Sequence, residues 1–158
     1  MTPYNVNWDR WCRTSIIKHF DAGKGDTVLF VEGFARPSDL DTQPDHLELR
    51  IDGPYTRENA NDQWRVYFEV NVLIFVNERP EAAYRPHELT ARVTGLFTQN
   101  ILVRRYGTGP DDDQGLLGCL TLVPRLNERI QTSYFGKIRP DTGIIQATVE
   151  GHYHIFLD

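Results

Sequence analysis

Between Trp64 and Val76 the chain alternates. Trp64, Val66, Phe68, Val70, Val72 and Ile74 fall on one side, and Arg65, Tyr67, Glu69 and Asn71 on the other. Successive side chains of a strand point to opposite faces, so this run predicts a strand with one core-facing side. The second side turns apolar at Leu73 and Phe75. A strand half-buried at its start and covered on both faces at its end has this pattern, and such strands sit centrally in a sheet.

The other elements follow from the same pattern. Residues 7–20 predict a helix. Asn7 can cap it, and Trp8, Trp11, Cys12, Ser15, Ile16, His19 and Phe20 recur at spacings of three and four. Gly23-Lys24-Gly25-Asp26 turns the chain, and Thr27 to Phe34 predicts a strand. Ala35 to Pro44 reads as a polar loop. His46 to Asp52 alternates cleanly, with Leu47, Leu49 and Ile51 inward. Gly53 to Gln63 reads as a long polar loop projecting from the sheet, and loops of that length are often functional. Pro86 opens a second helix whose stripe is Leu89, Val93, Leu96, Phe97 and Ile101, with Arg104-Arg105 near its end. Gly107 to Gly118 reads as a loop tipped by Asp111-Asp112-Asp113. Leu116 to Val123 predicts a short strand. Ile130 to Arg139 and Ile144 to Leu157 predict a hairpin turning at Pro140-Asp141-Thr142-Gly143. The expected fold is a single α+β domain over 1–158: a mostly antiparallel β-sheet with two helices packed on one face.

A chain of 158 residues has the length of one domain and can bury roughly two-thirds of its unfolded surface. A net charge of -5 argues against a dedicated nucleic-acid-binding module, which carries a basic balance, but not against a protein that lets DNA pass without gripping it. Cys12 and Cys119 give no disulfide framework and read as reduced small hydrophobes. The start of the chain lacks the basic and apolar regions of a signal peptide, and no apolar run approaches the ~20 residues of a membrane span. Synthesis in the cytoplasm and no membrane partner are therefore expected.

No strong chemical signature stands out. His152 and His154 lie two apart on one strand face, a spacing that can place two imidazoles on one metal, as in a small metal-dependent hydrolase. A site needs a third ligand, for which His46 and Glu48 are the candidates. Asp111-Asp112-Asp113 lacks the alternation of a calcium loop and reads as a solvated charge run. Cys119, between Gly118 and Leu120, reads as a buried thiol, and Gly107-Thr108-Gly109 is too short for a dinucleotide fingerprint. Arg104-Arg105, with Arg125 and Arg129, reads as surface cations paired with carboxylates. No catalytic residue, metal or cofactor is assigned. Trp8, Trp11, Tyr55, Tyr84, Phe75 and Phe156 exceed what one small core needs, and aromatics are enriched in interface cores.

The stretch Tyr55-Thr56-Arg57-Glu58, then Trp64, then Glu69-Val70, resembles the corresponding hairpin of the tail terminator proteins of long-tailed bacteriophages, a head–tail joining (neck) family. The order of elements is similar over most of the chain. The segment Gly107 to Arg139 has no counterpart in the smallest members. The resemblance implies a virion structural protein: a ring, commonly a hexamer, at the head-proximal end of the tail tube. Such a ring stops tube growth, seals the tail and faces the head connector. Its partners would be copies of itself, the tube and connector proteins, and DNA passing through the lumen without specific binding. A lumen that is not strongly basic suits that task, because many phosphate contacts would hold the DNA. Tyr55, Arg57, Glu58, Asp112, Phe75 and Phe156 are the expected contact residues. A connector stopper, an adaptor or a capsid decoration protein is the alternative within the virion.

Overall fold

The computed structural model describes residues 6–32, 45–58, 64–77, 79, 83–123, 130–137 and 144–157. The elements are α1 (Val6–Gly23), β1 (Val28–Val31), β2 (Asp45–Glu58), β3 (Trp64–Asn77), α2 (Arg85–Phe97), β4 (Ile101–Tyr106), β5 (Asp113–Leu122), β6 (Ile130–Lys137) and β7 (Ile144–Leu157). The strands form one sheet in the order β1-β2-β3-β7-β5-β4, with β6 also paired to β7. Expectations that fell on 33–44, 59–63, 124–129 and 138–143 lie outside the described residues.

β3 is central, as its two-sided pattern predicts, and is paired along its length with β7 and with β2. The register keeps every core-facing position together. Leu49, Val72 and Val149 stand side by side, as do Leu47, Ile74 and Ala147. These residues join Cys12, Ile16 and Phe20 of α1 and Leu89, Val93, Leu96 and Phe97 of α2 in one buried cluster.

The expected α+β fold, with a mostly antiparallel sheet and two helices on one face, is corrected. Strand accounts for more than half of the described structure, β1 joins β2 in parallel, and the mixed sheet curls into a half-barrel. Two local readings drove the error. The second helix stops at Phe97, and Ile101 begins β4, so Arg104-Arg105 lies on a strand. Much of the expected loop Gly107 to Gly118 belongs to β5. β2, β3 and β7 each run for 14 residues, and long strands carry a right-handed twist that curls a sheet. Pro54 to Glu58 also continues β2 rather than looping out, across a β-bulge between Asp52 and Tyr55 where Gly53 takes a φ of 116°.

α1 fills the opening of the half-barrel, touching β1 and β2 on one side and β4 on the other. Arg13 donates to the carbonyls of Ile51 and Gly53 on β2. On the opposite side Arg10 donates to the carbonyls of Tyr106 (2.8 Å) and Gly107 (2.6 Å), and the Trp11 indole donates to Tyr106 (2.9 Å). The Arg104 amide donates to Ser15 Oγ at 3.1 Å. Backbone groups on the edge of β4 are thereby satisfied by helix side chains rather than by another strand.

α2 is fixed at both ends. Asp45, buried at the start of β2, accepts from Arg79 and from Arg85 at the helix start. Burial pushes the Asp45 carboxyl up, but the hydrogen bonds from Arg79 and then Arg85 outweigh it and hold the group below its ordinary value. At the C-terminus His19 Nε2 lies 2.8 Å from the Leu96 carbonyl, and the Tyr153 hydroxyl donates to the Phe97 carbonyl at 2.9 Å. These carbonyls belong to the last turn, which has no intrahelical partners. Tyr153→Phe leaves a buried carbonyl without its donor. It should cost about 1–3 kcal/mol in denaturant unfolding, with the denaturant dependence unchanged. A variant as stable as the parent contradicts this assignment.

Candidate interaction surface

The polar positions of the alternation share the outer face of the curled sheet. Across β2, β3 and β7 it presents rows Asp52-Glu69-His152, Arg50-Asn71-Glu150, Glu48-Leu73-Thr148 and His46-Phe75-Gln146. Cross-strand neighbours of this kind stand close enough to interact.

One end of this face is aromatic. Tyr55 stacks on Tyr67 with centroids 5.3 Å apart, and the Arg65 guanidinium lies 5.8 Å from the Tyr67 ring. Arg65 Nε donates to His154 Nδ1 at 3.0 Å, and His154 packs against Phe156 at 5.1 Å. Tyr55 and Phe156, at the ends of this row, are 44% and 49% exposed. Accepting a hydrogen bond at Nδ1 leaves the neutral ring's proton on Nε2. Burial first, and then the Arg65 charge, hold His154 below its ordinary value. At the other end His46 stacks on Phe75 at 4.7 Å and meets Phe30 edge-on at 5.9 Å.

Between the two ends lies a groove of about 430 Å³ lined by Glu32, Arg50, Asp52, Asn71, Leu73, Gln146 and Thr148. Arg50 leans back on Glu48 at 3.2 Å, with Glu32 at 3.9 Å, so its charge is already answered. The groove is therefore polar and acidic, with Leu73 as its buried apolar residue.

The structure brings Tyr55 and Phe156 to one end of one face and places Phe75 at the other. Arg57 and Glu58 pair with Arg65 and Trp64 by backbone register, and their side chains lie outside the described residues, as do Arg125 and Arg129. Asp112 sits apart, at the β4–β5 turn. It accepts from the Thr108 amide at 3.1 Å through its side chain and from the Gly107 amide through its carbonyl. His152 and His154 share the outer face, as their spacing predicts. Glu69 is 3.9 Å from His152, whereas the neighbour of His154 is the Arg65 cation. Among the described residues no group of three or more His, Cys, Asp or Glu is placed to hold a metal. Burial pushes the Cys12 thiol up to about 12 and raises Cys119, the reverse of what a thiolate nucleophile needs. Trp8 and Trp11 pack together on α1, and Tyr84 is exposed before α2.

Sequence reasoning missed the acidic groove, the Arg65–His154 bond and the exposed Leu102 and Leu116 on the β4–β5 hairpin. The alternation had placed Arg65 and His154 on polar strand faces. Only the β3–β7 register adds that they meet.

No protein-family model matches the chain, and no curated protein matches it. Solved structures do. One, of a protein that carries only a sequence label for a name, is similar over 92% of this chain and 94% of its own, at 16% identity and a TM-score of 0.52. At that identity the likeness shows a shared fold.

An unfolded histidine takes up its proton near 6.5, above folded His154. Stability tied to His154 is thus complete above about pH 6.5 and is lost as pH falls from there toward the folded value. Against His154→Gln, the parent should lose stability on acidification through that window and run parallel above it. Urea midpoints measured across pH check this. Curves parallel throughout contradict it.

Proposed function

We propose that the chain is a non-enzymatic virion structural protein, a ring-forming tail terminator at the head–tail junction. The observation that carries the reading is the outer face of β2, β3 and β7. It is a broad sheet surface with exposed Tyr55 and Phe156 at one end and a polar groove at its centre. Aromatic anchors beside polar ground are the composition of interface surfaces. The resemblance of Tyr55-Thr56-Arg57-Glu58 and Glu69-Val70 to the terminator hairpin lies on this same sheet. On this reading the partners are copies of the chain, the tail tube and the head connector, and DNA crosses the lumen without specific contacts.

Light scattering after size-exclusion chromatography tests the reading. A hexamer of the 18.3 kDa chain has a mass of about 110 kDa, alone or with the tube protein as nucleus. A monomer at every concentration, and in the presence of the tube protein, contradicts the reading. Stoichiometric bound zinc, iron or manganese in purified protein would favour the metal-dependent hydrolase instead.

A further inference from the structure

At the aromatic end of the outer face one hydrogen bond joins two strands through two basic side chains. Arg65 Nε on β3 donates to His154 Nδ1 on β7 at 3.0 Å, and the Arg65 guanidinium lies 5.8 Å from the Tyr67 ring. The bond needs a neutral imidazole, because only then does Nδ1 carry a lone pair. An imidazolium has a proton on both nitrogens and can only donate, and arginine stays protonated and has no acceptor. Protonated His154 and Arg65 therefore meet as donor against donor and cation against cation.

The surroundings give the added charge no answer. Across the sheet His154 stands in a row with Tyr55, Tyr67 and Thr121, and Arg65 stands in the next row with Arg57 and Phe156. Neither row, among the described residues, contains a carboxylate. Glu69, one row further along β3, lies 3.9 Å from His152 on β7. Of the two bonded partners His154 is the fixed one. It is 8% exposed and packs against Phe156 at 5.1 Å. Arg65 is half-buried, and its long side chain lets the charged head reach water. When the bond fails, Arg65 is the group that leaves.

We infer that Arg65 and His154 form an acid-released latch on the outer face: protonation of His154 frees Arg65 from β7 and leaves an open guanidinium beside Tyr67 and Phe156. Burial first, and then the Arg65 charge, hold His154 below its ordinary value. The latch is therefore closed at neutral pH and opens only below the ordinary histidine value of about 6.5. It is a property of the single chain and does not rest on the ring reading, although it regulates the same face.

Nitrogen NMR of the whole chain, labelled at histidine and arginine, tests the latch as pH is lowered from neutral, with circular dichroism confirming that the chain stays folded. At neutral pH the His154 proton should sit on Nε2. The Arg65 Nε–H should then exchange with water at least about tenfold more slowly than that of a free arginine side chain at the same pH. That protection should vanish, and the Tyr67 ring signals should move, at the midpoint of His154 and not at that of His152. In Arg65→Gln the His154 midpoint should rise toward its ordinary value, since the neighbouring cation is gone. His154→Gln offers an acceptor that does not titrate, so Arg65 should stay protected throughout. Protection of Arg65 that persists after His154 has taken up its proton, or that fades with His152 instead, overturns the inference. So does a neutral His154 that carries its proton on Nδ1. The parent titration alone decides the matter if a variant does not fold, and the mass of the assembly enters none of these outcomes.

Discussion

The hydrogen bonds from α1 to the sheet are the constraint on which the rest depends. A curled sheet that stops short of closing leaves edges at its opening, and each carries backbone groups that water or another strand would otherwise satisfy. Here Arg10, Trp11 and Ser15 serve β4, while Arg13 serves β2 on the other side of the opening. Hydrogen bonds from charged donors contribute about 1.5–3 kcal/mol each, more than neutral ones, so the two arginines make α1 a structural wedge as well as a lid. The wedge explains the tryptophan near the start of the chain. Trp11 places its indole nitrogen on a β4 carbonyl and offers its ring to Arg105.

Once α1 occupies the opening, the two faces of the sheet have separate tasks. The core positions of β2, β3 and β7 join residues of α1 and α2 in one buried cluster. The outer face is polar but far from loose. His46, Glu48 and His154 are buried there among aromatic and charged neighbours, and Arg65 and Arg50 are each held by a partner. A surface already ordered loses little side-chain entropy when something docks on it. The groups on that face are thus held in place by one another before anything docks there.

The long strands were legible because period-two alternation persists through β3 and β7. The same pattern assigned Tyr67, Glu69, His152 and His154 to the polar face. What failed was non-local. Ile101 continues the Phe97 stripe at a spacing of four, so the sequence around it reads as helix. The helix ends at Phe97 where Tyr153, 56 residues away, takes its carbonyl. The parallel pairing of β1 with β2 was hidden for the same reason, since register between strands is set by the core they share and not by either strand alone. Tyr55 and Phe156 were picked out as surplus aromatics, but the Arg65–His154 bond that links their neighbourhoods spans 89 residues. The charged groove likewise assembles side chains from three strands and from Glu32 just past β1.

Native-state hydrogen exchange at the Arg104 amide tests the closure by α1 most directly. That amide lies on the outermost strand of the sheet and has the Ser15 hydroxyl as its acceptor. If α1 closes the half-barrel, Arg104 is protected to nearly the same free energy as the Val72 amide in the central strand, because both are exposed only when the fold opens as a whole. Exchange at Arg104 close to the rate of an unprotected amide, with Val72 still protected, contradicts the account and leaves β4 an open edge.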